Sequence, residues 1–302
     1  MLIRFQFYNI FFLLFPLSAI TLNTDLGPCE LIINNNDNKI DLIEQTVITY
    51  AKDVNNKFDP VMPSSFTINI VEGEKEFYSY TKGTAPEWSI AITKKNPNRI
   101  IMKAPKTARI SFNRFIQVLI HELNHVYLNN VLTAYSFPSW FKEGMAMSES
   151  GEFSISDRVL ISSSKWKGTL LSINELVNFR NIKKHSIKLA YAESYAMYTA
   201  LKFYYGNNVY KNIINRMNEN YTFWESLSYV TKDSEENIKN NIEDFVNEKY
   251  SWMFLLNAYN LIFIFLPLIL ISGYFYKTHK NKKLLRKWEI EELLEDLNNE
   301  KN

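Results

Sequence analysis

Ile120-His121-Glu122-Leu123-Asn124-His125 lies in the middle of an apolar, helix-patterned stretch, and its reading decides the rest of the chain. Histidine is scarce: there are four in 302 residues, and two of them fall in this run. On a helix, positions i and i+4 share a face, so both imidazoles can reach one metal ion. Glu122 can hold a water bound to that metal without being a ligand itself. Phe112, Phe115, Ile116, Leu119, Leu123 and Val126 form an apolar stripe, with Ser111 or Asn113 as the cap, so the spacing predicts a helix through the motif. The competing reading, a chance His-Glu-x-x-His, has a frequency on the order of a few per thousand chains.

Three protein ligands and one open position are the rule for a catalytic zinc site. A third histidine at the spacing H-E-x-x-H-x-x-G-x-x-H is excluded, because Leu128 and Val131 occupy the Gly and His positions. His185 lies 60 residues past His125, outside any familiar spacing. Among the carboxylates downstream, Glu143 follows a loop and a Pro138 suited to the first turn of a second helix. Glu143 is therefore the candidate third ligand and Glu149 the alternative.

Upstream, Ile40, Ile43, Val47, Tyr50 and Val54 predict a helix over 38–56. Phe66, Ile68 and Ile70 alternate with polar residues as in a half-buried strand, and Phe77–Thr81 reads as a short helix or turn. Trp88, Ile90 and Ile92, then Asn96-Pro97-Asn98, then Arg99–Lys103 read as a hairpin before the motif helix. Its edge can hold an extended peptide or can be a protected structural edge. Helices over 187–205, 208–219 and 234–250 follow, so the fold class is α+β: a small sheet, an active-site helix and a mainly helical half.

The motif with Pro-x-Trp-x-x-Glu-Gly-x-Ala at Pro138–Ala146 resembles the peptidase MA-like gluzincins, the thermolysin-type metallopeptidases. The likeness continues in Gly168–Leu176, in Ala190-Tyr191-Ala192-Glu193-Ser194-Tyr195 and in Tyr205-Gly206, and so covers about residues 65–250. It implies a zincin-like domain that hydrolyses peptide bonds, with one zinc ion held by His121, His125 and Glu143, and Glu122 as catalytic acid/base. One departure stands out: the acid that orients a ligand histidine in thermolysin, four residues past the third ligand, falls at Met147. The partner of that histidine must come from elsewhere. Tyr191 is the candidate oxyanion donor, on a stretch so rich in tyrosine that ordinary packing competes for each one.

Composition narrows the setting. A net charge of +2 argues against nucleic acid, and a single cysteine, Cys29, excludes an intrachain disulfide or a cysteine zinc site. Residues 1–22 carry Arg4, an apolar run and small residues at Ser18, Ala19 and Thr21, the pattern of a signal peptide with cleavage after Ala19 or Thr21. Residues 252–276 lack charge and can cross a membrane, with Trp252, Tyr274 and Tyr276 at interfacial positions. Lys277, Lys280, Lys282, Lys283, Arg286 and Lys287 come next, predicting a cytoplasmic charged tail over 277–302 with a short amphipathic helix. Residues 25–250 are then an extracytoplasmic domain, tethered to the cell membrane by one C-terminal helix. The expected function is a membrane-anchored zinc metallopeptidase, of endopeptidase type, acting on a peptide or protein. A catalytically inactive surface-anchored binding or assembly protein is the alternative; an intramembrane protease is discounted by Arg114, Gln117 and Asn124 in the motif helix.

Overall fold

The computed structural model describes residues 17–34, 39–86, 88–132, 135–256 and 258–299. Strands β1 (Leu17–Thr24) and β2 (Gly27–Asn34) open the chain as an antiparallel pair. Cys29, Leu31 and Ile33 are buried and alternate with exposed Pro28 and Glu30, the period of a half-buried strand. Gly27 turns the hairpin at φ +125°, and any side chain there would run into the backbone of Ser64. Helix α1 (Ile40–Lys57) follows and buries Ile43, Val47, Tyr50 and Val54, the expected stripe. Strand β3 (Phe66–Val71), helix α2 (Glu74–Thr81), and strands β4 (Ala91–Lys94) and β5 (Arg99–Lys103) complete the sheet.

The strand order is β1-β2-β3-β5-β4. Strands β2, β3 and β5 run parallel at the centre, and the outer strands β1 and β4 run antiparallel to their neighbours. Central Leu31, Ile68 and Ile100 are fully buried and join α1 and the later helices in the main core. The other face holds a smaller cluster of Val71, Phe77, Ala85 and Ile101 under α2. After a short α3 (Pro105–Ala108), helix α4 (Phe112–Val131) packs against α1, β4 and β5. Helix α5 (Ser139–Ser150) then packs on α4 and, most extensively, on α7 (Ile187–Tyr205), with α6 (Ile155–Trp166) between them in sequence. The α5–α7 contact depends on Gly144: a Cβ there would collide with the Ser194 carbonyl oxygen and lie 2.6 Å from Tyr198 Cβ. Trp140 and Phe141, fully buried beside it, each contribute on the order of 3–5 kcal/mol by the cost of truncation to Ala.

Helices α8 (Val209–Asn218), α9 (Phe223–Thr231) and α10 (Glu235–Lys249) finish the helical half. The α+β class stands as expected. The hairpin strand begins at Ala91 rather than Trp88, and α6 and α9 were not expected; both start at caps, Ser154 and Thr222, that close capping boxes. Strand β1 overlaps the segment read as a leader. Ala19 and Thr21 pair with Ile32 and Glu30 inside it, so a cut after either would remove three or five of the eight residues of an outer strand. Residues 1–16 lie outside the described residues.

Helix α11 (Ala258–Asn299) continues without a break through the basic run into the acidic one, so the tail is not a separate helix. Leu261–Glu292 is long and apolar enough to cross a membrane by length and composition, and its most apolar window is wholly unburied. The junction is tied to the domain by Trp166, whose Nε1 donates to the Ser251 carbonyl at 2.9 Å.

Candidate metal centre and cleft

Ser111 caps α4 by accepting from the Arg114 N–H, which fixes the register that turns His121, Glu122 and His125 to one cleft. Their neighbours Leu123, Asn124 and Val126 face inward, and Asn124 Nδ2 donates to Tyr50 Oη at 2.8 Å. The motif helix is thus held on its back by α1 and open on its front.

Pro138 caps α5, whose second turn delivers Glu143. Glu143 Oε2 stands 3.3 Å from His121 Nε2 and 3.4 Å from His125 Nε2. Two ligands each about 2.1 Å from a zinc ion in tetrahedral geometry stand roughly 3.4 Å apart, so this donor set fits the ion. The cluster His121, His125, Glu143 is the one among the described residues whose ligand atoms converge in this way. Glu149, the alternative ligand, is engaged elsewhere: its carboxylate pairs with Lys57 Nζ at 2.7 Å. His185 is exposed and does not line the cleft.

The partner of His121 that Met147 could not supply is Glu152. Its Oε2 lies 3.4 Å from His121 Nδ1, ion-pair range rather than a full hydrogen bond, and its Oε1 lies 3.4 Å from Arg114 Nη1. Gly151, in the left-handed region at φ +67°, ends α5 and swings Glu152 back towards α4. The signal that could have found Glu152 is Arg114, seven residues before His121 and so two turns along the same face, a cation that a carboxylate from elsewhere can bridge to the imidazole. Glu122 is met by Thr93 of β4, whose Oγ1 donates to Glu122 Oε2 at 2.6 Å. Thr93 was not singled out from sequence, because nothing local distinguishes it from its strand neighbours.

The electrostatics follow these contacts. Burial opposes a charge on His121, but Glu143 and Glu152 outweigh it and hold its pKa well above the ordinary imidazole value. Burial likewise would raise Glu143 and Glu152, yet His125 and His121 pull Glu143 down, and His121 and Arg114 pull Glu152 down. Both acids are carboxylates ready to act as acceptors. Tyr191, on α7, faces His121 with ring centroids 6.4 Å apart and is braced from behind by Phe179 at 5.3 Å. The charge of Glu143, then burial, then Glu122 and Glu152 raise its pKa well above the usual phenol value, so it is a proton-bearing donor. The cleft measures about 790 Å³ and runs from Trp88 and β4 across the motif to Arg180, Lys188 and Tyr191.

The family model described as Peptidase MA superfamily matches residues 45–247, more than half of the 302-residue chain. Among solved structures, the M1 zinc metallopeptidase from Deinococcus radiodurans is similar at 13% identity and a TM-score of 0.46, over 76% of this chain and 52% of that one. An aminopeptidase N family protein from Idiomarina loihiensis is similar at 12% identity and a TM-score of 0.41, over 79% of this chain and 43% of that one. This chain therefore spans about half the length of either structure. No curated protein matches it.

Proposed function

We propose, for a chain that belongs to the Peptidase MA superfamily, a zinc-dependent hydrolysis of peptide bonds in the cleft of α4, α5 and β4. The observation that supports it is the meeting of His121, His125 and Glu143 at 3.3 and 3.4 Å, with Glu122 beside them in the same cleft. His121, His125 and Glu143 would hold one zinc ion, which when bound would supply Lewis-acid polarisation of a carbonyl and a more acidic water. Glu122, steadied by Thr93, takes a proton from the attacking water and passes it to the leaving amine. Tyr191 keeps its proton and donates a hydrogen bond to the oxyanion as it develops. Glu152 holds the imidazole of His121 in the orientation that presents Nε2.

Endopeptidase action is proposed from the edge of the sheet. Among the described residues strand β4 has no partner on its outer side, where an extended peptide can add as a further strand and run past the metal cluster in both directions. Helix α11 is the tether, with the domain outside the cytoplasm and the basic run from Lys277 inside. Any leader removed on export ends before Leu17, which keeps β1 whole.

The test is peptide cleavage by the full-length chain in detergent. Cleavage is expected to stop with a zinc chelator, to return with added zinc, and to be lost in Glu122→Gln while that variant still binds one zinc. Normal turnover by Glu122→Gln would sink the mechanism. Orientation is read separately in sealed vesicles, where added protease should remove the domain and spare the tail.

A further inference from the structure

Among the described residues, the cleft carries more positive charge than the reaction uses. Its four described acids all have internal partners, Glu122, Glu143 and Glu152 as above and Asp157 in the Ser154 capping box, and of its cations only Arg114 is committed, to Glu152. Lys95, Lys142, Arg180 and Lys188 line the same space and form no ion pair among the described residues. Arg180 and Lys188 are the two built around Tyr191. Lys188 sits three residues before it, one turn up the same face of α7. Arg180 follows Phe179, whose ring packs edge-on against Tyr191, and its backbone N–H donates to Asn178 Oδ1 at 3.1 Å, which sets the turn. Both cations therefore line the same cleft as Tyr191, with Lys188 in the first turn of α7, a 19-residue helix whose N-terminal end adds partial positive charge.

Deepening the peptidase reading and resting on it, we propose that Arg180 and Lys188 form an anion subsite that takes a substrate carboxylate next to the cleaved bond. The carboxylate is either an acidic side chain or the free carboxyl end of the peptide. An arginine fork and a flexible ammonium with no internal partner offer charge-assisted hydrogen bonds that a neutral side chain cannot return. A merely solvated rim would show no such discrimination.

The experiment separates this from the peptidase reading by measuring binding apart from turnover. Dye-labelled peptides are titrated into the zinc-loaded, full-length Glu122→Gln chain in detergent, in two matched pairs. One pair places Glu or Gln at each position flanking the bond, and the other carries a free or an amidated carboxyl end. At least one anionic member is expected to bind about fivefold tighter than its neutral twin at low salt, with the gap closing as salt rises. The pair that responds identifies the source of the carboxylate. Arg180→Ala with Lys188→Ala should remove the gap, and Arg180→Glu should transfer the preference to a Lys-containing peptide. Equal binding within both pairs, or a gap that survives those variants, overturns the subsite. Whether the unmodified chain cleaves the same peptides decides the peptidase reading alone.

Discussion

On the α4–α5 wall of the cleft every acid has a partner: Glu122 meets Thr93, Glu143 meets both imidazoles, and Glu152 meets His121 and Arg114. On the opposite wall, Arg180 in the turn before α7 and Lys188 on α7 line the same space without a carboxylate partner among the described residues. Charges locked into mutual contacts hold a fixed geometry, the requirement of bond-breaking chemistry. Charges left unmatched by the protein are free to pair with an anion that enters, the requirement of recognition. The comparison breaks if the locked wall tolerates substitution or if the open wall does not discriminate.

The largest effect should fall on the locked wall. Glu122→Gln keeps the hydrogen bond to Thr93 within reach but cannot accept a proton, so kcat should fall by about 10²–10⁴-fold, with zinc content unchanged by metal analysis. Tyr191→Phe removes one donor while keeping the ring between His121 and Phe179, and kcat should fall by roughly 10²-fold at near-constant KM. Glu152→Gln should instead act on the metal. Zinc affinity in competition with a chelator should drop about 10- to 100-fold, because the imidazole of His121 loses the charge behind it.

These roles were unevenly legible in the sequence. The motif helix and Glu143 could be read because their information is local: a period, a cap and a short spacing. Glu152 was missed because the contact that gives it a role crosses from the end of α5 to the middle of α4. Strands β1 and β2 were missed for a different reason. The small and apolar residues from Leu17 to Leu22 fit the end of an export signal as well as an outer strand, and only the pairing of β1 with β2, and of β2 with β3, tells the two apart. Gly144 was quoted as part of a motif without a cause, and the cause is the backbone of α7. Gly144→Ala tests that cause. It should overpack the α5–α7 contact at a cost of about 1–3 kcal/mol, seen as a fall in Tm of roughly 2–4 °C per kcal/mol, and should lower activity by moving Tyr191.

The smallest effect on turnover belongs to Glu193, which joins the two walls from behind. It is fully buried on α7, two residues past Tyr191, and both its carboxyl oxygens lie 3.2 Å from the Leu171 N–H at the head of the segment leading to Arg180. Burial raises its pKa to about 8; the Leu171 N–H lowers it in part, and Glu175 and Glu243 add to the rise. The folded chain therefore keeps this proton where the unfolded chain has released it, from the ordinary value of 4.5 up to about 8. Stability from the protonated carboxyl is fully present below that ordinary value. It is lost progressively as pH rises through the window, because the native state binds more protons than the unfolded one. Above about 8 both states are ionised and the decline levels off. Glu193→Gln, neutral at every pH and still able to accept the Leu171 N–H, should remove this slope. The Tm of the variant minus that of the parent should climb by on the order of ten degrees between pH 5 and pH 8.5, values that are roughly the two sides of the window, and then flatten. A difference that stays constant across that range would mean that Glu193 is ionised in the folded chain and that the Arg180 segment is pinned by a carboxylate.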